Sequence, residues 1–250
     1  MKKSKIEWTD STWNPSIGCN KVTAGCKFCY AEVMAKRLKA MGQPDYKDGF
    51  KFKIIPERLS IPLEIKKPTK FFVNSMSDLF HEKMPFEFID KVFNVIQETP
   101  HHKYQILTKR ELILSKYFEN RSAPKNVWLG VTVENQESKK RIDELRKIDA
   151  EIRFLSLEPL LEDLGELDLT NIHWVIVGGE SGVKARPMNP KWVENILEQC
   201  KEQNVSFFFK QWGTWGADGI RRNKKSNGRL FLGKEWNEYP TSIQEQYSFA

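Results

Sequence analysis

The runs Val127-Trp128-Leu129-Gly130-Val131-Thr132-Val133 and Ile152-Arg153-Phe154-Leu155-Ser156-Leu157 flank a helical pattern over 136–148, and this alternation decides the fold. Both runs are short, apolar and rich in β-branched and aromatic residues, with no polar alternation. That is the pattern of strands buried on both faces of a parallel sheet. The same unit repeats outward in both directions. Upstream stand 70–74 (KFFVN) and 103–107 (KYQIL); downstream stand 173–177 (HWVIV) and 206–210 (SFFFK). Helical patterns fill the gaps at 86–98, with Phe88, Ile89, Val92, Phe93 and Ile96 on one stripe, at 111–118 and at 190–203. A short strand just before Cys19 and a helix over 31–41 complete about seven units. Strand followed by helix, repeated in this way, predicts an α/β fold. An open or partial (β/α) barrel of parallel strands is the first expectation, and a doubly wound open sheet the second.

The chain has 250 residues, a length that one barrel domain uses without splitting, so a single domain over 1–250 is expected. The stretch 43–68, interrupted by Pro44, Pro56 and Pro62, reads as an insertion or lid; 213–250, rich in Gly and Trp, reads as a small C-terminal cap. No apolar run is long enough to cross a membrane or serve as a cleavable leader, so a cytoplasmic protein without a membrane partner is expected. Forty Lys and Arg against 33 Asp and Glu leave a formal charge of +7. An excess of that sign fits a polyanionic partner without demanding one. The denser basic groups are Lys139, Lys140 and Arg141, and Arg221, Arg222, Lys224 and Lys225.

In barrels of this kind the functional groups sit at the C-terminal ends of the strands. Here those ends carry Ser75, Ser77 and Asp78; Thr108, Lys109 and Arg110; Thr132, Glu134 and Asn135; Ser156 and Glu158; Gly178, Gly179, Glu180 and Ser181; and Lys210, Gln211 and Trp212. Polar residues end strands and cap helices in any protein. Six loaded ends together favour a shared polar mouth.

Three of the four cysteines fall within eleven positions, Cys19, Cys26 and Cys29, in a C-x6-C-x2-C spacing that opens a helix. Clustered thiols are not the dispersed usage of a disulfide scaffold; in a reducing compartment they indicate metal. Three thiolates hold three irons of a [4Fe–4S] cluster and leave the fourth open to an outside ligand. Alternatively, three thiolates and one of His81, His101 or His102 close a zinc site. Three unligated core cysteines are the bland reading. Cys200, inside a helical pattern, reads as structural.

Cys26-Lys27-Phe28-Cys29 resembles the second half of the radical S-adenosylmethionine motif, whose usual form is C-x3-C-x2-C with an aromatic residue before the last cysteine; Phe28 is that residue. The six residues after Cys19 depart from the usual three. A wider resemblance covers nearly the whole chain. Residues 6–10 (IEWTD), 12–15 (TWNP), 74–78 (NSMSD), 107–110 (LTKR), 130–134 (GVTVE), 156–159 (SLEP), 178–182 (GGESG), 185–187 (ARP) and 209–213 (FKQWG) are similar to the phage-associated Gp37/Gp68 family, also called the domain-of-unknown-function 5131 family. That resemblance implies a radical S-adenosylmethionine-like fold and supplies no substrate.

If the resemblance holds, Cys19, Cys26 and Cys29 hold a [4Fe–4S] cluster whose open iron takes S-adenosylmethionine, and an electron donor is a required partner. Asp78, in the loop with Ser75 and Ser77, would face the ligand's ammonium group, and Lys109 or Arg110 its carboxylate. Gly178 and Gly179 would allow close backbone approach, with Glu180 meeting a ribose hydroxyl or the substrate. Glu134 and Glu158 would complete the cofactor-side rim. The first functional expectation is thus a radical enzyme acting on a nucleic acid or nucleotide. The alternatives are a zinc-stabilised nucleic-acid-binding module without catalysis, and a radical enzyme acting on a protein or small molecule.

Overall fold

The structure, a computed structural model, describes residues 4–241. Seven strands form one parallel sheet in the order β1 (Ser11–Trp13), β4 (Lys70–Val73), β5 (Lys103–Thr108), β6 (Val127–Thr132), β7 (Ile152–Leu157), β8 (Trp174–Gly178) and β9 (Ser206–Gln211). With helices between the strands the fold is an α/β open barrel, the first of the two expectations. Every residue of β6 and β8 is buried, which is why neither strand alternates in polarity. The chain gathers into two compact units, residues 1–130 with 148–150, and 131–147 with 151–250.

In the first unit, α2 (Phe86–Glu98) buries the stripe expected for it, and the Thr99 hydroxyl closes its C-terminus by donating to the Val95 carbonyl at 2.6 Å. α3 (Glu111–Phe118) adds Tyr117 and Phe118, which meet Phe80, Phe86 and Phe93 in an aromatic cluster. The strand expected just before Cys19 is a correction. β2 (Ser16–Ile17) does not join the main sheet; it pairs antiparallel with β3 (Lys53–Ile54) in a separate two-stranded ribbon. The barrel's first strand is instead β1, three residues earlier in the chain. Pro15, which has no N–H to give to a ladder, divides the two.

The stretch 43–68 is mostly exposed or half-buried, with Tyr46, Ile55 and Pro62 buried. Tyr46 and Ile55 are buried with Ile17 and with Ala35 of α1 (Tyr30–Ala40), and the Ile55 N–H donates to the Pro15 carbonyl at 2.8 Å.

In the second unit, α5 (Pro190–Glu202) begins with Asn189, whose side chain accepts from the Lys191 N–H, and with Pro190 in the first turn, where a missing N–H costs nothing. The expected helix over 136–148 is a 3-10 turn, Gln136–Lys139, running into α4 (Lys140–Arg146). The described part of the cap holds turns and the short α6 (Lys224–Asn227). Its segment 236–238 returns antiparallel to β9, with Phe209 N–H donating to Trp236 O and Glu238 N–H to Phe207 O, so the last strand's edge is covered. Residues 242–250 of the expected cap lie outside the described residues. No helix among the described residues is long and apolar enough to cross a membrane.

Candidate functional site

The loop carrying the cysteines leaves β2 through Gly18, whose φ of +76° belongs to the left-handed region. A Cβ there would lie 2.1 Å from the Lys51 carbonyl oxygen, so only glycine fits both the backbone turn and the insertion pressed against it. The loop after β4 grips the same residue. Gly18 N–H donates to the Met76 carbonyl at 2.9 Å, and the Ser77 hydroxyl donates to the Gly18 carbonyl at 2.7 Å. Ser75 belongs to this anchoring too. Its hydroxyl donates to Asn14 Oδ1 at 3.1 Å, and its carbonyl accepts from the Tyr30 hydroxyl at 2.5 Å.

Past Gly18 the loop makes a 3-10 turn over Ala24–Cys26, and Cys29 stands at the N-cap of α1. Cys19, Cys26 and Cys29 are half-buried free thiols. Lys27 lies over the Phe28 ring, with its ammonium 5.5 Å from the centroid.

Arg110, after β5, ties the loop to the strand ends. Its Nη2 donates to Asn20 Oδ1 at 2.6 Å and to Cys19 Sγ at 3.4 Å, its Nη1 to Asp78 Oδ2 at 3.0 Å and its Nε to Glu82 Oε2 at 3.2 Å. Asp78 is in turn surrounded by donors. Thr108 Oγ1 at 2.7 Å and Phe80 N–H at 3.0 Å meet one carboxylate oxygen; Lys109 N–H at 3.2 Å and Arg110 meet the other. Burial pushes the Cys19 thiol up to about 11 although Arg110 pulls it down. For Cys26 burial also resists ionisation, but the Lys109 ammonium and hydrogen bonds from Val22 and Thr23 outweigh it, and the thiol lies below its ordinary value. A cation and directed donors favour the thiolate, the form that ligates metal.

Of the histidines offered as zinc ligands, two are hydrogen-bonded to backbone carbonyls. His101 meets the Ile65 carbonyl; His102 accepts from Thr69 N–H through Nδ1 and meets the Pro62 carbonyl through Nε2. His81 is buried and stacked on Phe52 with ring centroids 4.0 Å apart; its Nδ1 accepts from Lys83 N–H, while its Nε2, 3.6 Å from Glu82 Oε1, has no hydrogen-bond partner. Among the described residues no three His, Cys, Asp or Glu side chains are gathered around a point where one ion could bind. A zinc site needs all its ligands on one ion, whereas each cysteine of an iron–sulfur cluster takes its own iron.

The second unit holds the other three strand-end acids, each with a basic partner. Glu134, after β6, is fully buried and accepts from Arg141 Nη1 at 2.8 Å. Glu158, after β7, accepts from Lys210 Nζ on both oxygens, at 2.8 and 2.7 Å. Glu180, after β8, accepts from Arg186 through the backbone N–H at 2.8 Å, Nε at 2.9 Å and Nη2 at 2.6 Å. Gly178 and Gly179 separate these acids. A Cβ on Gly178 would stand 3.1 Å from the Glu158 carboxyl carbon, and one on Gly179 would fall 1.9 Å from the Trp212 carbonyl oxygen.

Ser75, Ser77, Asp78 and Lys109 thus gather about the cysteine loop in the first unit. In the second unit Glu158 meets Gly178, and Glu180 is held separately by Arg186. Sequence reasoning missed Asn14, whose side chain also accepts from Met76 N–H at 2.9 Å, and Asn20. The Thr12-Trp13-Asn14-Pro15 motif was the available signal for Asn14; nothing marked Asn20.

Many of the chain's basic side chains are engaged within the protein. Arg110 and Arg186 are spent on Asp78, Glu82 and Glu180; Arg141 is spent on Glu134; and Lys139 Nζ caps the carbonyls of Leu164 and Glu166. Buried acids demand partners, and the nearest basic residues supplied them. The tryptophans Trp8, Trp13, Trp212 and Trp236 are buried packing residues. Cys200 is buried too, its thiol pushed up to about 12 by burial, and it lines a cavity of about 330 Å³ at the start of β9, with Leu197, Ser206 and Phe207.

An α/β open barrel with a thiol-bearing loop pinned to its strand ends is the class these features define. The chain belongs to the family described as a protein of unknown function, DUF5131, whose model matches residues 3–240. No curated protein matches the chain. Among solved structures it is similar to spore photoproduct lyase complexed with dinucleoside spore photoproduct, at 12% identity and a TM-score of 0.48. A variant of that lyase with bound AdoMet and the same dinucleoside gives 12% and 0.44. Each match covers 80% of this chain and 63% of the other, so the chain spans under two thirds of those proteins' length. Likeness at that distance transfers no activity.

Proposed function

We propose that this protein is a radical S-adenosylmethionine enzyme in which Cys19, Cys26 and Cys29 hold a [4Fe–4S] cluster, and that it acts on a nucleic acid or nucleotide. The observation that carries the reading is the attachment of the cysteine loop to the ends of β4 and β5 through Ser77, Asp78 and Arg110, with Lys109 favouring the Cys26 thiolate. When bound, the cluster would supply one electron, received from a donor partner, to cleave S-adenosylmethionine into methionine and a 5′-deoxyadenosyl radical. The chain's own residues hold and orient. Arg110 steadies Cys19, and Phe28 lies beside the last cysteine. Asp78 keeps Arg110 in place rather than offering a vacant carboxylate, since donors surround both its oxygens. The Lys109 ammonium, whose charge favours the Cys26 thiolate, would meet the carboxylate of the ligand. In the second unit, Glu134, Glu158, Gly178, Gly179 and Glu180 are the strand-end residues that would meet a nucleoside.

The test is iron and sulfide analysis of protein reconstituted without oxygen, followed by incubation with reductant and S-adenosylmethionine. About four irons per chain and release of 5′-deoxyadenosine are expected. Cys19→Ala, Cys26→Ala and Cys29→Ala should each lose most of the iron, because each removes one ligand of the same centre. Unchanged iron in all three variants would refute the assignment.

A further inference from the structure

The sheet changes register where β8 meets β9. Val177 pairs with Phe209, but the next residue, Gly178, pairs with Gln211, so Lys210 is an extra residue on β9. In a regular strand neighbouring side chains point to opposite faces; an extra residue re-aims them. Here both reach the same carboxylate. Lys210 Nζ sits 2.8 and 2.7 Å from the two Glu158 oxygens, and Gln211 Nε2 donates to Glu158 Oε1 at 3.2 Å.

The orientation of the Gln211 amide follows from its neighbours. Glu158 Oε1, the Ser181 hydroxyl oxygen at 3.3 Å and the Gly179 carbonyl at 3.4 Å are all acceptors facing its nitrogen. The amide oxygen therefore points the other way. Gln211 is only 4% exposed, and its Oε1 has no hydrogen-bond partner. A buried acceptor left without a donor calls for something to supply one. The paired Lys210 and Glu158 leave no net charge at this spot, so the missing donor belongs to a neutral group. Because Ser181 accepts from Gln211, its own proton is available to a neighbouring acceptor on the same ligand.

An N–H donor beside an acceptor, on a neutral edge, is what a nucleobase presents. A peptide group offers the same pair, and the charge nearby decides between them. Ser181 begins an exposed loop that carries Lys184, and Arg221 Nη2 donates to the Val183 carbonyl of that loop. Cations at the rim above a neutral floor suit a phosphate joined to a base. We propose that Glu158, Lys210, Gln211 and Ser181 form a nucleobase-reading site in which Gln211 Oε1 accepts the base N–H, Ser181 donates to the adjacent acceptor, and the phosphate lies toward Lys184 and Arg221. This deepens the nucleotide reading above and rests on it for the substrate class, but it needs no cluster.

The probes are the four 2′-deoxynucleoside 5′-monophosphates, each set beside an N-methylated analogue that lacks the base's donor. Binding is measured by equilibrium dialysis on the reconstituted chain, with iron determined on the same sample. At least one nucleotide should bind, and its methylated analogue should bind about tenfold more weakly. Gln211→Met should abolish that difference, binding both forms alike. The comparison of ligands on the unaltered chain stands even if the variant folds poorly. Equal binding of methylated and unmethylated forms, no binding of any nucleotide, or binding only of an N-acetylated amino-acid amide would each overturn the site. Nucleotide binding without iron would leave the site standing and remove the radical chemistry; iron without nucleotide binding would do the reverse.

Discussion

Glu134 and Arg141 show how this chain treats buried charge. The carboxylate is fully buried and the guanidinium nearly so, 2.8 Å apart, and Arg141 also donates to the Thr132 carbonyl at 2.6 Å. Two charges removed from water recover much of their desolvation through each other, so removing one leaves the other less well compensated. Arg141→Met should destabilise the fold by about 3–5 kcal/mol, the range found when a buried pair loses one member. Glu134→Leu combined with Arg141→Met should cost clearly less than the single change, because no unpaired charge remains. Urea denaturation of both variants checks the order; a double variant less stable than the single one would show that the pair is not the stabilising unit. Neither partner could be paired from the sequence. Seven positions separate them across a strand end and a helix start, and Arg141 reads there as one member of a basic run with Lys139 and Lys140.

At the scale of elements, one device recurs in both units. His102 stands just before β5 and accepts through Nδ1 from Thr69 N–H, just before β4, at 3.2 Å; His173 stands just before β8 and accepts through Nδ1 from Arg153 N–H, in β7, at 3.0 Å. Each imidazole spans two adjacent parallel strands at their starts, and each bond requires an unprotonated Nδ1. Burial lowers the pKa of both, with His101 and Arg153 respectively adding to the effect, and burial lowers His81 as well. The sign follows. Because the folded values lie below the unfolded one of about 6.5, stability is fully present above that pH and is lost as pH falls through the folded values. Each proton taken up only by the unfolded chain steepens the loss by about 1.4 kcal/mol per pH unit. The urea midpoint should therefore be flat from pH 8 to 7 and fall below about 6.5, before most carboxylates titrate. His173→Gln, which keeps an acceptor near Nδ1, should flatten the slope; an unchanged slope would show that His173 takes no part. The strands these histidines join were legible as apolar runs of five or six residues. β1 and β2 were not, since three and two residues are too few to show a period, and the strand assigned before Cys19 was for that reason the wrong one. The extra residue in β9 was equally hidden: Lys210-Gln211 reads as a polar strand end, and only the register against Gly178 reveals that both turn to Glu158.

For the molecule as a whole, the forty Lys and Arg overstate the cations a polyanion would meet, since each internal ion pair removes one charge of either sign and leaves the net +7 to the other residues. Arg110, Arg141 and Arg186 are bound to internal acids, and Arg222 is held by Asp218 at 2.9 and 2.6 Å. A cation already paired with a carboxylate brings little new positive potential to a phosphate, and swapping partners returns the carboxylate to solvent or to repulsion. Lys184 and Arg221, on the loop after β8 and beside it, carry no acid in such contact among the described residues. Phosphate binding by lysine and arginine releases counterions, so the logarithm of affinity falls linearly with the logarithm of salt, by about 0.7 per contact on a single strand. Lys184→Ala and Arg221→Ala should therefore each weaken binding of a single-stranded oligonucleotide at low salt and reduce the slope by about one contact. Arg222→Ala should leave the slope as it was, although it removes the same formal charge. Titrations of the three variants across a salt series decide the matter: if all three shift the slope equally, affinity tracks net charge alone, and the pairing pattern seen at the strand ends has no bearing on where a nucleic acid binds.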